Sequence, residues 1–242
     1  METVYKQNVK VLSSMTNSNA EVGISHALSY LQDNMSEYMG SLNCDGITMI
    51  PKANCFWVMT KSKIKFNGKV RWLDSITLKT HLSHKSPARL NIVNDILDRD
   101  GNVVIEGIQE LCAMDSNTRK IRLIKSTLFP EDIKPLSTNK DIEFSKLDFE
   151  LDESKFKKEV TVSSENIDYF GHTNNVEYSR LILSTFGGNE HKILNPKTFE
   201  IHYIAESREG DKLSIFMDMV DKKYSFEIKC GEKICVKAVM EI

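Results

Sequence analysis

The sequence predicts an α+β chain of two halves that repeat one order of elements: a strand, a polar loop, an amphipathic helix and a meander of strands. Two observations carry this. Ile24, Leu28, Leu31, Met35 and Met39 recur at spacings of four, three, four and four, which puts them on one helix face. A second apolar helical pattern begins near Asn174, and each helix lies between a short alternating strand before it and several period-two runs after it. One helix followed by a meander implies, in each half, a curved antiparallel sheet wrapped around that helix.

Taken in order, the first strand covers 4–13 around Val9-Lys10-Val11, the loop 15–21, and the helix follows. Strand-like runs come at 53–66, 74–84, 89–98, 103–114 and 120–123, with Asn67-Gly68 and Asp100-Gly101 as turn signals. Residues 128–153 break the pattern. Pro130, Pro135, Ser137, Thr138 and Asn139 form turns, while Phe144, Leu147, Phe149 and Leu151 alternate with charges, as in a linker partly packed on the body. The order then restarts: a strand at 158–162, a loop at 163–173, and a helix over 174–186 carrying Val176, Tyr178, Leu181, Ile182 and Phe186. Runs at 197–207, 212–220, 223–229 and 233–241 follow, with turns at Gly210-Asp211 and Gly231-Glu232. The expected division is an N-terminal domain at 1–127, a linker at 128–153 and a C-terminal domain at 154–242.

Composition narrows the function. With 242 residues, 40% of them hydrophobic, the chain can bury proper cores, and a net charge of -2 with no long basic run argues against nucleic-acid binding. No apolar run approaches a membrane span, and residues 1–12 lack the basic-then-apolar layout of a signal peptide, so a cytoplasmic protein is expected. The cysteines, Cys44, Cys55, Cys112, Cys230 and Cys235, are odd in number and form no C-x-x-C pair, which suits small buried hydrophobes better than a zinc site or disulfide framework. His26, His81, His84 and His202 form no ligand cluster, so neither metal nor cofactor is expected.

Chemistry concentrates in Asp168-Tyr169-Phe170-Gly171-His172-Thr173-Asn174-Asn175. A carboxylate and an imidazole sit four apart across a glycine turn, directly before a helix start capped by Asn174 or Asn175. Helix starts gather unpaired N–H groups that stabilise negative charge, so the segment can serve a reaction through an oxyanion. An ordinary capped turn with a surface histidine has the same local pattern. Superposing the first strands, Val9 on Val160 and Val11 on Val162, puts Asn17 opposite Asp168 and Glu21 opposite His172. Superposing the later strands through Asp74 and Asp211 puts Lys69 opposite Glu206. The first half thus lacks the ionisable set of the second, which predicts one reactive centre carried by the C-terminal half.

The element order, the length and the segment G-H-T-N-N-x-x-Y resemble the acyl-acyl carrier protein thioesterases of plants and bacteria, over nearly the whole chain. Leu31-Gln32 ahead of Gly46, Phe56-Trp57-Val58 and the segment from Met114 through Asp115-Ser116-Asn117-Thr118-Arg119 to Lys120 carry the same likeness. The resemblance implies two tandem hotdog domains and cleavage of fatty acyl-acyl carrier protein to free fatty acid, with acyl carrier protein as partner and a monomer or homodimer as assembly. The family signature D-x-N-x-H-x-N-N reads here as Asp168, Phe170, His172, Asn174 and Asn175; Y-x-x-E-C reads as Tyr203, Glu206 and Ser207. Asp168, His172 and Glu206 are therefore the expected catalytic residues, with Gly171, Asn174 and Asn175 at the oxyanion site. Phe170 replaces the family's asparagine and has no polar atom to orient water, and Ser207 replaces its cysteine, which excludes a thiolate nucleophile there.

In this reading Glu206 is the general base, made basic by partial burial under an acyl pocket. His172 binds Glu206 or the water, Asp168 orients His172, and backbone N–H groups near Gly171 and His172 hold the oxyanion. Met35, Met39, Phe56, Trp57 and Met59 are candidate acyl lining, and Lys61, Lys63, Lys65, Lys69 and Arg71 a candidate docking patch for an acidic carrier, or simply a solvated sheet face. An acyl-CoA thioesterase and a non-catalytic acyl-binding protein remain the alternatives.

Overall fold

The computed structural model describes residues 3–137 and 142–242. Among them eleven strands form one antiparallel sheet, with helices packed on one face. The first half contributes β1 (Val4–Lys10), α1 (Ile24–Ser41), α2 (Gly46–Ala53), β2 (Cys55–Phe66), β3 (Ser75–Lys85), β4 (Leu90–Leu97), β5 (Val103–Asp115) and the short β6 (Ile121–Arg122). The second contributes β7 (Phe156–Thr161), α3 (Asn175–Leu183), α4 (Gly188–Ile193), β8 (Thr198–Tyr203), β9 (Lys212–Val220), β10 (Lys223–Cys230) and β11 (Lys233–Glu241). The strand order is β1-β3-β4-β5-β2-β8-β11-β10-β9-β7, with β6 on β5, so the second half reads as the first in reverse. The halves meet where β2 pairs with β8, from Lys61 opposite His202 to Lys65 opposite Thr198.

The periodicity of α1 is realised: Ile24, Leu28, Leu31, Met35 and Met39 are all buried. Near-complete burial of each of Leu28, Leu31 and Met39 contributes roughly 1.5–3 kcal/mol, more than enough to offset an N-terminus with no side-chain cap. The first turns of α1 pack with α3 in a core that includes Phe199, Ile201 and Phe226, and Ser179 of α3 donates to Ser25 of α1 at 2.9 Å. The last turns of α1 bury Met35, Tyr38 and Met39 in a second core with Leu82, Leu111 and Phe129.

Four boundaries differ most from the periodic reading. The first strand ends at Lys10 rather than 13, where Ser13–Met15 form a 3-10 turn. The run expected from 53 begins one residue past α2, a helix capped by Asp45, whose carboxylate accepts from the Thr48 N–H at 2.9 Å; Gly46 and Pro51 hide its helical signal. The second helix stops at Leu183, and residues 184–187 separate it from α4, which Gly187 precedes and Gly188 opens. β8 ends at Tyr203 rather than 207, because Ile204 and Ala205 both donate to the Cys235 carbonyl and the ladder closes there. Glu206 therefore stands on an irregular segment, not on a strand.

The linker divides between the two faces: Phe129 and Ile133 pack into the helix-side core, while residues 142–151 run over the opposite face of the sheet; Thr138 and Asn139 fall outside the described residues. Its N–H groups at Ser145 and Leu151 donate to Glu200 at 2.7 Å and Glu227 at 3.1 Å, both carboxylates being almost fully buried. Lys63 reaches Glu200 at 3.1 Å, and Lys229 and Lys237 reach Glu227 at 3.2 and 3.3 Å. The central strands thus bury both faces, and charges on the outer one survive because each is paired and hydrogen-bonded. Burial pushes the Glu200 carboxyl up, but bonds from His202, Lys63 and Ser145 outweigh it and hold the group below its ordinary range.

Asp95 of β4 stands in register between Lys79 of β3 and Glu106 of β5. Burial pushes its carboxyl up from 3.8 to about 6, with Lys79 pulling it down and Glu106 adding to the rise. Between those values the folded chain holds a proton that the unfolded chain has released, so Asp95 favours folding most at low pH and this is lost as pH rises through 6. Asp95→Asn is expected to raise urea stability by about 2 kcal/mol at pH 7.5, with the gain shrinking toward zero near pH 4. An equal gain at both pH values would contradict the assignment.

Candidate active site

The loop before α3 is built by its own polar atoms. The Asp168 N–H donates to the His172 carbonyl at 2.8 Å, and the Asp168 carboxylate accepts from the N–H groups of Phe170 at 2.9 Å and His172 at 3.4 Å. Gly171 takes φ +77°, which a side chain would strain. Asn174 caps α3 by accepting from the Val176 N–H at 2.9 Å. These bonds aim the His172 ring at the segment after β8, where Nε2 lies 3.1 Å from Glu206 Oε2. Arg208 approaches the same nitrogen at 3.4 Å. One nitrogen cannot both donate to a carboxylate and accept from a guanidinium; the shorter contact assigns the proton to Nε2, donated to Glu206, with Arg208 an electrostatic neighbour. The other Glu206 oxygen pairs with Arg119 of the β5–β6 turn, and Lys233 donates to the Glu206 carbonyl at 2.8 Å.

His172 and Glu206 border a cavity of about 860 Å³ between the two halves. Met35 and Met39 of α1 and Phe56, Trp57 and Met59 of β2 line it, as the sequence pattern suggests, and Tyr178 and Tyr203 complete the wall on the other half. Phe170 lies at the cavity too, its ring 4.8 Å from Phe56 and 4.1 Å from Tyr169. Tyr169 closes on the start of α2 so tightly that a Cβ on Gly46 would sit 2.4 Å from its hydroxyl oxygen. Burial raises the Tyr178 and Tyr203 phenols above their ordinary range, so both remain neutral hydrogen-bonding groups.

Asp168, Phe170, His172, Asn174, Asn175 and Glu206 all reach the cavity wall, but several contacts differ from those expected. The Asp168 carboxylate holds the loop backbone, including the His172 N–H, and not the imidazole ring. The N–H groups of Gly171 and His172 are both spent on Asp168. The Glu206 side chain is 37% exposed and ion-paired, not sunk in apolar surroundings. Ser207 is fully buried behind the wall, where its hydroxyl meets Thr173 at 2.7 Å and Tyr178 at 2.8 Å. Four of the five basic residues proposed for docking are ion-paired within the chain: Lys61 with Glu110, Lys63 with Glu200 under the linker, and Lys69 and Arg71 with Glu21. His202 bonds Glu200 on the outer face, away from the cavity. Arg208 and Lys233, two cations around Glu206, have no local sequence signal; Arg119, the third, lies in a segment that carries the likeness, but its partner is 87 residues away.

The first half contains the same backbone arrangement. Asn17 donates its N–H to the Glu21 carbonyl at 2.8 Å and accepts from the Glu21 N–H at 3.2 Å, as Asp168 does with His172. Val22 bonds Val70 as Thr173 bonds Ser207, and Arg71 bonds Asp74 as Arg208 bonds Asp211. On this repeated scaffold the charges are reversed. Glu21 and Lys69 face each other at 3.0 Å where His172 and Glu206 do at 3.1 Å.

The buried Ser207 hydroxyl links the loop to α3, so Ser207→Ala removes a partner from the Tyr178 hydroxyl and leaves the Thr173 hydroxyl with only its 3.3 Å contact to the residue 207 carbonyl. It is expected to cost about 1–3 kcal/mol in denaturant unfolding; a loss of a few tenths would contradict the linkage.

Profile comparison matches residues 2–131 to the acyl-ACP thioesterase N-terminal domain and residues 149–238 to the acyl-ACP thioesterase C-terminal domain. No curated protein matches the sequence. Among solved structures, an acyl-ACP thioesterase from Bacteroides thetaiotaomicron superposes with a TM-score of 0.82 at 18% identity, covering 98% of this chain and 97% of the other. The 12:0-ACP thioesterase from Umbellularia californica superposes with a TM-score of 0.86 at 16% identity, covering 98% and 96%. At these identities the superpositions establish the fold, and the two profile matches, which together span most of the chain, establish that it belongs to the acyl-ACP thioesterase family of thioester hydrolases.

Proposed function

We propose that this protein hydrolyses the thioester of fatty acyl-acyl carrier protein to release free fatty acid for lipid metabolism, using His172 and Glu206 at the mouth of the cavity. The observation that carries this reading is the 3.1 Å contact between His172 and Glu206 beside an apolar chamber large enough for an acyl chain. We read the halves as tandem hotdog domains, 1–127 and 154–242, joined by the linker at 128–153; the mirrored strand order supports this.

The acyl chain lies against Met35, Met39 and Phe56, which leaves the thioester carbonyl at the Glu206 end of the cavity. Glu206 takes a proton from water as the water oxygen bonds to the carbonyl carbon. His172 keeps the carboxylate aligned through Nε2–H, and the proton is delivered to the departing thiolate, so one water yields one carboxylic acid and one thiol. The negative carbonyl oxygen of the intermediate needs donors. Asn175 is the best placed, because it opens α3, lines the cavity, and its side-chain amide makes no hydrogen bond among the described residues. Asp168 supports the chemistry from behind by holding the loop that carries His172. The cations Arg208 and Lys233 beside the mouth favour an acidic carrier.

Phe170 favours a second reading, an acyl-binding protein without turnover, since an apolar ring stands where the family's amide is expected. Thiol release from a panel of acyl-acyl carrier proteins and matched acyl-CoAs, short to long, separates the readings. Turnover is expected to favour the carrier thioesters; release from CoA esters alone moves the assignment to that carrier, and binding without release to the second reading. Glu206→Gln is expected to lower kcat about 100-fold or more with the fold intact, and unchanged turnover would discard Glu206 as base. Phe170→Asn is expected to raise turnover while lowering Tm, since it adds an amide at the cavity and removes two ring contacts. If turnover stays flat, the amide is not what this position lacks.

A further inference from the structure

Arg119 is held in a conformation that its own backbone disfavours. It closes the turn between β5 and β6, where Asp115 accepts from the N–H groups of Asn117 at 3.0 Å and Thr118 at 2.8 Å, and the Arg119 N–H donates to the Asp115 carbonyl at 3.0 Å. Those bonds, Thr118 first, hold the Asp115 carboxyl below its ordinary range. At this corner Arg119 has φ +57°, where glycine is the unstrained choice. The reward is not ordinary surface stability. Its guanidinium is about as exposed as its partner, and such pairs contribute little to folding.

What the conformation achieves is placement. The guanidinium lies over the Phe56 ring, 5.1 Å from its centroid, and from that seat pairs with one oxygen of Glu206 while His172 takes the other. Glu206 needs this. It stands past the end of β8 on irregular backbone, with a long side chain that solvent would otherwise let rotate. Phe56 is fixed by Phe170, so aromatic stacking, the guanidinium and the carboxylate form one continuous contact from the first half of the chain to the second.

We propose that Arg119 is a positioning residue for hydrolysis, holding the Glu206 carboxylate against His172, so that the reacting centre is completed by the N-terminal half. This rests on the hydrolytic reading of the site. Arg119 acts through Glu206 and takes no proton itself.

The test uses the full-length protein with Arg119→Gly and Arg119→Lys on an acyl-acyl carrier protein that the wild type hydrolyses. Arg119→Gly removes the side chain and relieves the backbone, so Tm should hold or rise while kcat falls roughly tenfold to a hundredfold and KM stays within about twofold. Arg119→Lys should retain part of the lost kcat, and added guanidinium should restore part of it to Arg119→Gly. A raised KM with unchanged kcat would overturn the proposal and make Arg119 a carrier contact, and so would no change in either constant. A wild type that releases no thiol from any ester would defeat the hydrolytic reading itself, a separate outcome from either of these.

Discussion

The pairing of β2 with β8 is the joint on which the rest of the molecule depends. It makes one sheet from two halves, with Ile64 opposite Phe199 and Ser62 opposite Ile201 facing the helices. Because this joint buries both faces, the strand residues pointing away from the helices had to be covered. The linker covers them, and its N–H groups and three lysines satisfy Glu200 and Glu227. Carboxylates at full burial contribute little net stability, yet losing any one partner would leave an uncompensated charge. They therefore act more as a lock on linker position than as a source of folding energy.

The same joint determines where a cavity can exist. Helix α1 is twice the length of α3, 18 residues against nine, and its extra turns carry Met35 and Met39 past the core that α3 shares. They meet the loop of the opposite half, and the chamber opens between them. The equivalent place in the first half has no such excess of helix. Asn19 of that loop instead bonds the Lys192 carbonyl of α4 at 2.9 Å.

The repeated backbone accommodates an asymmetry of charge. Two loops share one set of backbone bonds, so the chain can vary the side chains on one without unfolding it. In the second half this scaffold carries imidazole and carboxylate over a cavity; in the first it carries Glu21, Lys69 and Arg71, a closed ionic cluster at the surface. The imidazole–carboxylate pair stands where the repeated loop and the unequal helices coincide.

Much of this was legible from residue order. Helical spacing located α1 and its buried face, turn residues located most hairpins, and superposing Val9 on Val160 matched Asn17 with Asp168 and Glu21 with His172, as the backbone bonds do. These are local properties: periodicity, turn chemistry and loop polarity act over a few residues, so the order of residues by itself determined them. What it left open was contact at long range. The 87-residue separation of Arg119 and Glu206, the diversion of Asp168 to the backbone, the burial of Ser207 behind Tyr178, and the capture of Lys63 by the linker all depend on which surfaces the β2–β8 joint brings together. Partners far apart in sequence are set by which surfaces the closed sheet brings together, and that choice was made by the tertiary structure alone.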